Sequence, residues 1–490
     1  MSARPPKLDT NVSGRIDGGL VGTRYGMPIM SYRMDERRAL TLDMLEIEGA
    51  VPWVISKHYP NVVPPEHGAR IRRASKYLRT HIDDTLRKVD EREAVTHQRE
   101  DSVYDVLREE VGDPARNYVH PFMTSADSSE TAKGLMTRDG IIILIGTVED
   151  LRDTCTEVAR DWSKYKQMES THGADALTRH LGRRLVTEAY ALDAGIKRLY
   201  SDLREHAVGK VSGAVGDYHP MRDAGIDGPM IEKECCKLWK LRPVVSEQAP
   251  PREHIAYVMT DTAILGETVA NIMRWVKYLK TTARGELREP PDEGQRGSSA
   301  MPHKEGNPFI EERVIGFADY KLVPTAAGMM LSVRREDARN LEASAFDRID
   351  IPAAFILVDY SCALAKNVLQ RCEPQPVNIE AGLWRVQGAV TSETMRYQLI
   401  TRGMPEREAR NVAAQLARKA GIEGRRFHDV LLEDGRVKQF LTPDEIRKYS
   451  DPAHYVGESG RIIEQAHEEL FGKRILPKSL SIHSSLAPSR

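Results

Sequence analysis

Between residues 253 and 286, apolar side chains recur at spacings of four and three: Leu265, Val269, Ile272, Val276 and Leu279. A stripe with that period turns with an α-helix and gives it one apolar face. The same periodicity runs through residues 141–166, 177–207, 308–335 and 352–369, whereas alternating β-branched runs are few. Several long amphipathic helices in one region predict a helical bundle. Upstream, residues 34–110 read as shorter charged helices broken at Pro52, Pro60 and Pro64-Pro65. Downstream, residues 392–420 read as one further charged helix. A later helix opens at Thr442-Pro443-Asp444-Glu445, where Thr442 is placed to cap, Pro443 to take the first turn and Glu445 to return a capping-box bond. The pattern predicts an all-α chain in three parts: an N-terminal helical domain (1–120), a central long-helix bundle (121–378) and a C-terminal helical domain (379–490).

Size agrees with more than one domain, since 490 residues exceed what a single hydrophobic core usually serves. Lys and Arg number 71 against 72 Asp and Glu, a formal net charge of -1. That balance gives no general electrostatic reason to bind nucleic acid or an anionic membrane, so any anion site must be local. The longest apolar run, residues 141–145, is far too short to span a bilayer, and residues 1–22 hold no apolar core of signal-peptide length. Five cysteines without metal-ligand spacing fit a reduced, cytoplasmic protein. The Ser- and Pro-rich tail after Leu476 reads as frayed or partner-bound.

Three segments carry candidate chemistry. In Gly297-Ser298-Ser299-Ala300-Met301-Pro302-His303-Lys304-Glu305-Gly306-Asn307-Pro308, glycines and prolines rule out regular structure while gathering hydroxyls, a lysine and an asparagine. A serine there can remove a proton only if its alkoxide is strongly stabilised, and Lys304 with nearby backbone N–H groups can supply that field. Lys304 and Asn307 can also hold a carboxylate whose α-carbon loses a proton. In Ser170-Thr171-His172-Gly173, the following residues 174–190 read as helical, which sets His172 near a helix N-terminus and biases its imidazole toward the neutral form. The third segment, residues 119–127, offers Thr124 and Ser125 as short donors for a carboxylate and His120 as a charge beside them, or else an ST-turn capping a helix from about Ser128.

These segments resemble the fumarase/aspartase superfamily, and its adenylosuccinate lyase branch in particular. Gly-Ser-Ser-x-Met-Pro-x-Lys followed by Asn-Pro is similar to the superfamily signature. The likeness extends through Arg24-Tyr25, His120 with Thr124-Ser125, Thr171-His172-Gly173, the run Gly209-Lys210-Val211-Ser212-Gly213-Ala214-Val215-Gly216, Gln248 through Arg252, then Arg339, Ser344 and Arg348, and the closing Asp451-Pro452 with Tyr455 and Gly457. The resemblance implies a fumarase/aspartase-like fold and a C–N lyase that eliminates fumarate. The expected reaction is adenylosuccinate to AMP, and the corresponding cleavage of SAICAR to AICAR in purine biosynthesis. It implies Ser298 as base, His172 as acid, Lys304 at the carboxylate and Glu312 orienting the histidine. Arg24, Tyr25, Arg99, Asp101, His120, Thr124, Ser125, Thr171, Gln248, Asn307, Arg339, Ser344 and Arg348 are the implied substrate-binding residues. It further implies no metal or organic cofactor, a succinylated purine nucleotide as small-molecule partner, and a homotetramer whose sites are shared between subunits.

Three departures from the family pattern stand out. Lys304-Glu305-Gly306-Asn307 carries one residue more than the usual Lys-x-Asn, Arg99-Glu100-Asp101 replaces Arg-His-Asp, and Arg339-Asn340-Leu341-Glu342-Ala343-Ser344-Ala345 exchanges hydroxyls for a carboxylate and apolar groups. They fall on the nucleotide side more than on the elimination chemistry, and they motivate a second expectation: the same elimination on a different succinyl amine, or lactonisation of a carboxymuconate-like acid.

Overall fold

The computed structural model describes residues 25–294, 298, 300–301, 303–304, 307–477 and 480. Helices dominate, and the seven that frame the site are α1 (Glu36–His58), α2 (Arg99–Val111), α3 (Ser125–Trp162), α4 (Arg183–Glu205), α5 (Glu253–Lys280), α6 (Ser344–Arg371) and α7 (Ser459–Leu470). Strands occur as two-stranded ribbons: the hairpin β1 (Lys166–Thr171) and β2 (Ala174–His180), the parallel pair β3 (Val208–Gly209) and β4 (Arg242–Pro243), and a third short pair at Leu287–Arg288 and Glu373–Pro374. Among the described residues no helix is long and apolar enough to cross a membrane.

The predicted seam lies inside: Leu265, Val269, Ile272, Val276 and Leu279 of α5 are all buried. They join α3, α4 and α6 in one large core that also takes in α1, α2 and, from the far end of the sequence, α7. A second core, around Met395, Leu416, Phe427 and Ile446, is built among the described residues from residues 395–446, with Tyr449 packed against it. Thr442 caps its helix as expected, with Glu445 Oε2 accepting from Thr442 N at 2.9 Å.

Three readings of the sequence are corrected. Pro52 does not break a helix but sits within α1, whose length is held by burial on both sides. Residues of α1 meet the next helix so closely that a Cβ on Gly49 would lie 2.5 Å from Ser75, and such packing outweighs the one hydrogen bond a proline removes. Residues 392–420 are two helices, Ser392–Thr401 and Glu406–Glu423, parted where Gly403 takes φ +101° and Pro405 precedes the second. The stretch from 174 is a strand, not a helix, and α4 begins only at Arg183. His172 (φ +53°) and Gly173 (φ +80°) form the two-residue turn of that hairpin, a conformation that glycine at the second position permits.

Candidate active site

The N-terminus of α3 is the best-built part of the site. Asp127, three residues after the N-cap Thr124, accepts from Thr124 N at 2.8 Å, and the helix starts at Ser125 rather than near Ser128. The same buried carboxylate takes the ammonium of Lys210 and the amides of Ser212 (3.0 Å) and Gly213 (3.1 Å). The Gly-Lys-x-Ser-Gly run is thus wrapped round Asp127 and fixed to the helix end. Its far side touches the Gln248 loop, with Ser212 Oγ 3.1 Å from Ser246 Oγ, and Gln248 is half-buried there.

His120 stands just ahead of this helix end in the left-handed conformation (φ +61°). Its Nδ1 is 2.9 Å from Oε1 of Glu48, and its ring stacks on Tyr104 at 4.1 Å between centroids. Burial acts to lower its pKa, but the charge and hydrogen bond of Glu48, with Asp127 behind, outweigh it and raise the imidazole above its ordinary value.

Arg339, Ser344 and Arg348 line a single cleft together with Lys133, Ser129 and Glu130 of α3, and with Glu36 and Glu100. Arg339 lies 3.6 Å from Glu130, and Arg348 3.8 Å from Glu36. Burial raises the Glu36 carboxyl, while Arg348 and Arg99 pull it back. Behind the cleft, Asp347 is clamped by both terminal guanidinium nitrogens of Arg252 (2.5 and 2.6 Å) and by Lys133 (3.1 Å). Burial works to raise this carboxyl, and the two cations together hold it below the usual range. The cleft therefore sets three cations against three carboxylates. Glu36, Lys133 and Glu130 were not singled out from sequence, since ordinary helical spacing hides which charges turn inward. Glu48 had one legible sign, a lone carboxylate amid Ile47, Gly49, Ala50 and Val51.

The remaining candidates sit elsewhere. Arg99 is buried and occupied, donating to Glu93 (2.7 Å), Thr41 (2.9 Å) and the Arg37 carbonyl (3.1 Å), while Asp101 is exposed. Tyr25 packs edge-on against Phe317 at 5.1 Å, and Arg24 lies outside the described residues. Thr171 and His172 are exposed at the tip of the hairpin, so His172 does not stand at the expected helix N-terminus. Ser298 Oγ accepts from Met301 N at 3.1 Å, Lys304 is exposed, and Asn307 lines a cleft with His303, Lys280 and Glu311. Glu312 pairs with Lys277 at 2.9 Å. Among the described residues no hydrogen bond or ion pair joins His172, Ser298 or Glu312 to one another. No group of three or more His, Cys, Asp or Glu among the described residues is placed to hold a metal ion.

The chain matches the model of a lyase family over residues 38–319 and that of the adenylosuccinate lyase C-terminus over residues 388–466. It is 27% identical to adenylosuccinate lyase of Methanocaldococcus jannaschii over 92% of this chain and 96% of that one. Its identity to adenylosuccinate lyase of Pyrococcus abyssi is 29%, over 90% and 95% respectively. In fold it is similar to β-carboxy-cis,cis-muconate cycloisomerase of Acinetobacter calcoaceticus (TM-score 0.81, 21% identity, 92% of this chain and 100% of that one). A fumarate lyase from a Mesorhizobium species is similar too (TM-score 0.79, 18% identity, 92% and 99%).

Proposed function

The chain belongs to the lyase family, and from that premise we propose that it eliminates fumarate from a succinylated purine nucleotide, converting adenylosuccinate to AMP and SAICAR to AICAR in purine biosynthesis. The observation that carries this reading is the cleft in which Lys133, Arg339, Ser344 and Arg348 converge, a set of donors suited to phosphate or carboxylate. In the proposed reaction Ser298 Oγ takes a proton from the succinyl β-carbon, and the electron pair is held as an aci-carboxylate by Lys304 and Asn307. The C–N bond then breaks, His172 gives its proton to the departing nitrogen, and fumarate and the amine leave. Glu312 orients His172 in this scheme; Arg24, Tyr25, Arg99, Asp101, His120, Thr124, Ser125, Thr171 and Gln248 contribute to substrate binding.

An exposed histidine on a hairpin tip and an exposed lysine on a loop suit a site completed between protomers. Association as a homotetramer is supported by large apolar side chains left open on the long helices and beside them, such as Ile264 (60% exposed) and Tyr320 (84%). The carboxylates Glu36, Glu100 and Glu130 in the cleft favour a second reading, in which the leaving group carries amine or hydroxyl groups in place of some of the phosphate.

One experiment separates the two. The purified protein is offered adenylosuccinate, SAICAR and a panel of succinyl amines and nucleosides, with fumarate release followed by absorbance. Turnover of adenylosuccinate is expected, with Ser298→Ala and His172→Ala each losing at least about 100-fold in kcat while remaining folded. Turnover of a panel member but not of the nucleotides selects the second reading, and undiminished kcat in both variants removes the proposed base and acid.

A further inference from the structure

Glu48 is a buried carboxylate in the middle of α1, a place where an unpaired charge is costly. Its Oε1 meets His120 Nδ1 and the hydroxyl of Ser128, and among the described residues no donor reaches its Oε2. A carboxylate kept only for stability would be better replaced by an apolar side chain of its size. What it controls is the ring beside it. With Nδ1 committed to Glu48 and one face covered by Tyr104, Nε2 is the one nitrogen that His120 has left to offer, and its side chain is 15% exposed. The charges around the ring come from three elements: Glu48 on α1, Arg108 on α2 and Asp127 on α3, with the Tyr104 phenol against its face. Two of the three charges are negative.

We propose that Glu48 is a positioning residue for the elimination, acting through His120: it fixes the ring and sets a negative charge behind it, so that Nε2–H is presented beside the amides that open α3 as a donor to an anionic group of the substrate. This rests on the reading that the Thr124–Ser125 end of α3 faces substrate. His120 is the residue in contact, and among the described residues the hydrogen-bond partners of the Glu48 side chain are His120 and Ser128.

The test is a double-mutant cycle on the full chain, with Glu48→Gln, His120→Gln and both together. Glutamine keeps the size and a hydrogen bond to Ser128 and removes the charge. The first readout needs no substrate. The folded-state pKa of His120 lies above its unfolded value, so stability from the pair is fully present below about pH 6.5 and is lost as pH rises through the folded pKa. Glu48→Gln is therefore expected to lower Tm more near pH 6 than near pH 9 when His120 is present, and by a pH-independent amount when it is not. The second readout is turnover: Glu48→Gln raises KM roughly tenfold with kcat within about threefold, and adds nothing in the His120→Gln background. A Tm gap independent of pH with His120 in place, or KM effects that multiply, overturns the proposal. If Glu48→Gln does not fold, Glu48→Asp, which keeps the charge but withdraws it by one methylene, goes through the same cycle with a smaller KM rise of about threefold. If adenylosuccinate is not turned over by the parent, the substrate reading fails. The Tm cycle still decides the coupling, and the succinyl amine that is turned over then supplies KM.

Discussion

Asp202 on α4 carries a titration that the elimination does not use. It is 1% exposed and faces Asp261 on α5, with His206 Nε2 3.9 Å from one oxygen. Burial, then the neighbouring charge of Asp261, push its carboxyl up to about 7, against the pull of Arg198. A carboxyl with a folded pKa above its unfolded value binds more protons in the folded state. Stability therefore falls as pH rises from about 4 to about 7, and the cost is complete above that window. His206 and His254, whose Nδ1 atoms lie 3.0 Å apart, titrate below their ordinary range through burial and weaken the fold in the opposite direction, on acidification. Asp202→Asn removes the carboxyl's effect and leaves that of the histidines. We expect it to raise Tm near pH 8, by the equivalent of about 1–3 kcal/mol, with the advantage shrinking to nothing near pH 4. Thermal melts of parent and variant across that range check it; an advantage constant with pH would mean the gain comes from something other than the carboxyl. Nothing in the sequence around residue 202 marks this pair, because the partner comes from another helix.

How elements meet explains both what the sequence disclosed and what it concealed. The stripe in α5 and the Thr442 capping box are local patterns, so they could be read directly, and both stand in the structure. The β1–β2 hairpin was hidden because Ala174, Ala176 and Leu177 favour a helix on their own, while the decision rests on a positive-φ His-Gly turn and on tertiary contacts. Gln167 donates to Glu286 at 2.6 Å, and Arg284 reaches the Met168 carbonyl at 2.7 Å. The cleft was half legible: the Arg339, Ser344, Arg348 trio followed a family pattern, but the facing charges of α1 and α3 depend on helix rotation. Beside it α3 and the β3 ribbon meet so closely that a Cβ on Gly134 would fall 1.9 Å from the Val208 carbonyl oxygen. β3 leads into the Lys210–Gly216 loop, which in turn abuts the Gln248 loop, and Lys133 is the immediate neighbour of Gly134. Gly134→Ala must push the ribbon off the helix, at about 1–3 kcal/mol in stability. Because the loop that follows the ribbon abuts Gln248, which binds substrate in the proposed scheme, KM should rise more than kcat falls. Denaturant melts and steady-state kinetics test this, and an unchanged KM in a destabilised variant would disconnect the ribbon from the site.

The two hydrophobic cores give the chain an arrangement that sequence order does not follow. The chain leaves the large core near residue 383, builds the small one over residues 395–446, and returns so that α7 packs on α3 and α4. That return is pinned at both ends: His180 Nδ1 is 2.7 Å from Ser459 Oγ at the start of α7, and beyond its end Arg474 reaches Asp153 at 2.7 Å. The C-terminal part, drawn from the sequence as residues 379–490, is therefore proposed as an excursion of about residues 384–458 whose last helix belongs to the main body. The two cores then answer differently to loss of a buried side chain. Phe427→Ala, in the small core, is expected to cost about 3–5 kcal/mol there, and Ile463→Ala, on α7, about 2–5 kcal/mol in the large one. In calorimetry the first should lower the melting of a minor transition and leave the main one in place, whereas the second should shift the main one. Limited proteolysis should agree, cutting Phe427→Ala within residues 384–458 while α3 and α5 stay intact. A single transition that moves equally in both variants would show that the small core unfolds only with the large one, and the excursion would then count as part of one cooperative unit.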